Sequence, residues 1–155
     1  MKEVVGRPGT RSSLALWVSQ CVCAAASFAA MAVAHGSSHY TAFRALLFSM
    51  ELQFFWSLFR AIADTKDLMA QHAAYDFKDV CWIVLFDWLM AIVSVASATA
   101  SAGVAIYLER DFHICRTHPH LSCSPYKLSI ILAFMAWSFI TASAASSFWL
   151  LASFF

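Results

Sequence analysis

The sequence contains no asparagine, so N-glycosylation has no acceptor. Charge is scarce: 12% of residues are Asp, Glu, Lys or Arg, against about 25% in ordinary soluble domains. Ten basic and nine acidic side chains leave a net charge of +1, which gives no electrostatic footprint for nucleic acid. Four glycines and three prolines are too few for the interrupted helices of secondary transporters. Enzyme signatures are missing as well. There is no Gly-x-Ser-x-Gly, no phosphate-cradling Gly-rich loop, no His-Glu-x-x-His, and no carboxylate pair at helical spacing within an apolar run. These gaps point to a protein without catalytic machinery and without a cofactor.

What is abundant is apolar surface, at 61% of residues where about 45–50% is usual. A helix needs about 20 apolar residues to cross a bilayer, and residues 14–34, 42–63, 80–107 and 128–155 each meet that length. The fold class expected is an all-α membrane protein, a four-transmembrane-helix bundle. Residues 1–13 form a tail, and 14–155 form a single membrane domain in contact with lipid.

Orientation follows from the Lys and Arg residues near the span ends. With the N-terminus in the cytosol, Lys2, Arg7, Arg11, Arg60, Lys66 and Lys78 lie inside and Arg44, Arg110, Arg116 and Lys127 outside. Both termini are then cytosolic, and the outer loop 108–127 carries Cys115 and Cys123 into an oxidising compartment, where a disulfide between them is expected. His113, His118 and His120 share this loop, and with the two cysteines they offer a competing metal-site reading. They match no standard ligand spacing, and no metal is assigned. A second competing reading makes the first span a signal peptide ending at Ala32-Val33-Ala34, but its apolar run exceeds the about 7–15 residues usual there.

The third span is rich in small residues. Asp87, Ala91, Ser94, Ala98, Ser101 and Ala105 recur at steps of four and three, so they share one helical face suited to close helix packing. Charges inside a span cost at least about 2.5–3.5 kcal/mol each near its centre, so each needs a reason. Asp87 lies about 10 Å and Arg60 about 5 Å in from the same side, depths that permit an ion pair between them. Glu51, nine residues before Arg60, falls on the opposite face of the second helix. It is read as a buried structural carboxylate, with a contact to another subunit or an ion path as alternatives.

Several strings carry a family likeness. They are Val4-Val5-Gly6 with Pro8-Gly9-Thr10, Asp87-Trp88, Ala98-Thr99-Ala100-Ser101-Ala102-Gly103-Val104, Glu109-Arg110-Asp111, Cys115-Arg116 and Leu121-Ser122-Cys123. Leu128-Ser129-Ile130-Ile131-Leu132 and Ser146-Ser147-Phe148-Trp149-Leu150 complete the set. With them the whole chain resembles the plant Casparian strip membrane domain protein-like (CASP-like) family, its fifth subfamily in particular. The resemblance implies a MARVEL-like four-helix protein of the plasma membrane. It also implies a scaffold that assembles with itself or with related four-span proteins, and that recruits extracellular wall-modifying enzymes in one branch. The short outer connection 35–41 leaves little partner-specific surface, so a Casparian-strip role itself is not expected. Family members pair an Arg of the first helix with an Asp of the third. Asp87 matches the Asp, but Trp17 stands where the Arg is expected, which leaves Arg60 or Arg11 as the partner of Asp87. A small channel or transporter using Glu51 and Asp87 is the alternative function.

Overall fold

The computed structural model describes residues 10–34, 40–70, 76–111 and 123–155. Regular structure among them is helical throughout: α1 (Arg11–Val33), α2 (Thr41–Ala70), α3 (Phe77–Arg110) and α4 (Cys123–Ala152). The shortest, at 23 residues, extends about 35 Å, more than the hydrocarbon thickness of about 30 Å. All four are long and apolar enough to cross a membrane.

The helices outrun the apolar spans read from the sequence. Once nucleated, a helix continues through residues of ordinary propensity, and α2 therefore runs past Ala63 to Ala70, bringing Asp64 into the bundle. Thr10 caps α1, its side-chain oxygen accepting from the Ser13 amide at 3.3 Å. At α3 the first turn holds Asp79 and the last Arg110, both matched to the helix dipole. Pro125 lies in the first turn of α4, where a missing N–H costs no intrahelical bond.

The helices form a ring in chain order, each packed on its neighbours, with α1 closing against α4. Buried positions repeat at steps of three and four. In α1 they are Ser13, Trp17, Gln20, Ala24, Ser27 and Met31, and in α3 the sequence Val80, Val84, Asp87, Ala91, Ser94, Ala98, Ser101 continues the pattern. That 3.5-residue period is the seam of a left-handed bundle. The outside is apolar: Phe48, Phe55, Phe59, Trp82, Ile92 and Trp149 are all exposed. Such a surface suits hydrocarbon, since lipid lets polar groups gather inside.

The interior is divided along its length. Away from the termini, Met31, Phe43, Leu46, Met50, Tyr126 and Ile130 form an apolar core, with the Phe43 and Tyr126 rings stacked at 4.9 Å. Toward the termini the core becomes polar, holding Gln20, Ser57, Arg60, Asp64, Asp87, Ser143 and Ser147.

Candidate functional site: the polar half of the bundle

The polar half is built on heptad positions filled by hydrogen-bonding side chains. Its central tier joins three helices. Gln53 of α2 donates Nε2 to the Ala136 carbonyl of α4 at 3.2 Å and accepts from the Ser94 hydroxyl of α3. Beside it the Ser49 and Ser97 hydroxyls meet at 2.6 Å across α2 and α3. On the apolar side of this tier, Ser27 and Ser129 bind each other's backbone carbonyls at 2.8 Å, tying α1 to α4.

One heptad nearer the termini, about 10 Å along, lie the charges. The Asp64 carboxylate accepts from the Ser13 hydroxyl at 2.6 Å and lies 3.9 Å from Arg60 Nη2. The Ser13 oxygen in turn accepts from Trp17 Nε1 at 3.1 Å. The Arg60 guanidinium stands over the Trp17 ring, 5.0 Å from its centroid, a cation–π contact strengthened by exclusion of water. Thus the position where the family resemblance expects an Arg on α1 holds an indole, and the cation above it comes from α2.

Asp87 is wholly buried on α3, and its Oδ1 accepts from Trp56 Nε1 at 2.8 Å. Arg60 and Ser147 lie close enough to act on this carboxyl electrostatically.

These contacts correct three expectations. The predicted Arg60–Asp87 ion pair is not made: Arg60 is drawn to Asp64, one turn along its own helix, and Trp56 holds Asp87. Compatible depths left the direction of each side chain open, and an i, i+4 carboxylate is the nearer partner. Arg11 is exposed in the first turn of α1 rather than turned toward Asp87. Glu51 is exposed as well, so it is not a buried structural carboxylate. It lines an outward groove of about 250 Å³ with Ala25, Phe28, Phe54 and Phe55, as its half-turn offset from Arg60 requires.

Of the small-residue face, Ala91, Ser94, Ala98 and Ser101 are buried within the bundle and Ala105 is half-buried. This face is consumed inside the molecule. The outer side of α3 also carries small residues, Ala96, Ala100 and Gly103, which are exposed, and a Cβ added to Gly103 would meet no atom within 4 Å. Cys115 and the histidines of loop 108–127 lie outside the described residues, as does the side chain of Cys123. At the loop end of α3 and α4, Lys127 and Glu109 form an exposed ion pair of 2.9 Å. No group of three His, Cys, Asp or Glu side chains suited to a metal occurs among the described residues.

Sequence reasoning missed Asp64, Ser13 and Gln20. The signal for Asp64 was the spacing Gln53, Ser57, Arg60, Asp64, which continues the inward heptad past the end of the apolar run.

The Casparian strip membrane protein domain matches residues 6–139. CASP-like protein 5B3 of Oryza sativa subsp. japonica is 54% identical over 153 residues, 99% of each chain. CASP-like protein 5B1 of the same plant is 43% identical over 153 residues, again covering 99% of both. CASP-like protein 5B1 of Arabidopsis thaliana is 38% identical over 154 residues, 97% of this chain and 99% of the relative. No solved structure matches. With its family domain spanning most of the chain and full-length likeness to these relatives, the protein belongs to the plant CASP-like family, subfamily 5B.

Proposed function

We propose that the protein is a non-enzymatic, MARVEL-like scaffold of the plasma membrane, with both termini in the cytosol, that associates with itself or with related four-span proteins to organise a membrane domain. The observation that carries this reading is Glu51, a carboxylate presented to lipid at the mouth of an apolar groove between α1 and α2. An uncovered polar group in hydrocarbon is costly, and a second helix bringing a hydrogen-bond donor to it removes that cost. The exposed small residues Ala96, Ala100 and Gly103 on α3 add a surface that a helix backbone can approach closely. A disulfide between Cys115 and Cys123 would pin the outer loop, the segment with room to meet wall-modifying enzymes. Conduction is the poorer account, because Met31, Phe43, Leu46 and Met50 pack the axis beyond the polar half.

Native mass spectrometry of the protein released from lipid nanodiscs tests this. Oligomers are expected for the wild type, and Glu51→Leu should weaken association by about 1 kcal/mol, roughly fivefold in Kd. A wild type that is strictly monomeric overturns the scaffold reading.

A further inference from the structure

Seven buried side-chain atoms have no hydrogen-bond partner among the described residues, and they are gathered rather than scattered. They are Nε2 and Oε1 of Gln20, Oγ of Ser57, Nε and Nη2 of Arg60, Oδ2 of Asp87 and Oγ of Ser143. Each of the four helices contributes at least one. The contacts already described fix their level. Arg60, Asp87 and Ser143 each stand seven residues toward the terminal end from Gln53, Ser94 and Ala136, which bond to one another. Gln20 lies one turn from Trp17, the residue beneath Arg60, and Ser57 one turn from Arg60 itself. The five side chains thus occupy a slab about two helical turns, or about 10 Å, deep. All are at least nine-tenths buried, with relative exposures from 0% to 3%.

Unpaired polar atoms in a low-dielectric interior carry a large desolvation cost, and native proteins meet it with ordered water wherever several such groups converge. The chemistry of the set selects the occupant. Gln20 Nε2 and the two Arg60 nitrogens can only donate, Gln20 Oε1 and Asp87 Oδ2 accept, and the two serine hydroxyls do either. An anion would satisfy the donors but face Asp87 and Asp64, and a cation would satisfy the carboxylate but face Arg60. Water serves both.

We infer that this slab holds a small cluster of internal water molecules that bridges Arg60 to Asp87, with Gln20, Ser57 and Ser143 completing its shell. The coupling between cation and carboxylate is then made through solvent. The cluster ends at the Gln53 tier, since both polar atoms of that amide are already bonded and the core beyond is apolar.

Glutamine contrast makes this testable in the intact protein. In nanodiscs of phosphatidylcholine, with side-chain ¹⁵N-glutamine labelling, water-edited solid-state NMR reads which amides receive magnetisation from water. Only Gln20, Gln53 and Gln71 report, and Gln20→Leu and Gln53→Leu assign them by loss of a signal. The Gln20 amide should build up from water several-fold faster than that of Gln53, and in Ser143→Val, which places extra methyl groups in the slab, it should slow toward the Gln53 rate. A Gln20 amide in the wild type that is as slow as Gln53 overturns the inference, whether or not the variant folds.

Discussion

The Arg60 guanidinium lies between two partners of different kinds: the Trp17 ring 5.0 Å away on α1 and the Asp64 carboxylate 3.9 Å away one turn along α2. Ser13 completes the circuit by accepting from Trp17 and donating to Asp64. The α1–α2 contact is therefore held by charge, ring and hydroxyl together, at a depth where each would be costly alone.

Removing one member of this buried pair should be far worse than removing both. Arg60→Leu removes the cation beside the buried Asp64 carboxylate, and should lower stability by about 3–5 kcal/mol. Arg60→Leu with Asp64→Leu should recover much of that loss, because packed apolar side chains often match an ion pair of similar volume. Thermal unfolding in detergent measures both, and a double variant no better than the single would contradict the pairing.

Trp56→Phe keeps the ring but deletes the donor to Asp87 Oδ1. A hydrogen bond to a charged group contributes about 1.5–3 kcal/mol, so the midpoint of unfolding should fall, with less effect in an Asp87→Leu background. Equal losses in both backgrounds would show that the indole N–H acts elsewhere.

Two small residues of α3 five positions apart should respond oppositely to enlargement. Ala98 is wholly buried, so Ala98→Leu forces overpacking and should cost about 1–3 kcal/mol. Gly103→Ala meets open space on the outer side and should leave thermal stability unchanged or raise it by up to about 1 kcal/mol, the helix propensity difference.

The disulfide proposed between Cys115 and Cys123 can be read chemically. Non-reducing peptide mapping of protein purified from plant membranes should recover the Cys115 and Cys123 peptides joined. Recovery of both as free thiols would remove the bridge.

Much of the architecture is legible in the sequence because the bilayer imposes a length: four apolar runs became four helices. The inward face of α3 was legible too, since Asp87, Ala91, Ser94, Ala98 and Ser101 follow the helical period. Pairing was not. Depth along a span follows from residue count, but the direction in which a long side chain reaches does not, and Arg60 had a carboxylate on its own helix as well as one across the bundle. Asp64 was hidden because hydropathy ends the span at Ala63 while the helix and its heptad continue. Glu51 shows the converse error, in which the cost of a charge in lipid outweighed an angular offset that already placed it outside.

The bonds of α2 have a mechanical consequence. This helix is joined to α1 through Ser13 and Asp64, to α3 through Ser49 with Ser97 and Trp56 with Asp87, and to α4 through Gln53 and the Ala136 carbonyl. Sliding α2 along its axis by a single residue, about 1.5 Å, would break all of them together, whereas apolar contacts alone would let it creep. Its vertical setting is therefore unique, and the height at which Glu51 meets the surrounding lipid is set to within a residue. For the association proposed above, a helix docking at Glu51 would have to carry its own polar group at that one altitude, so that matching elevations would count as well as matching shapes.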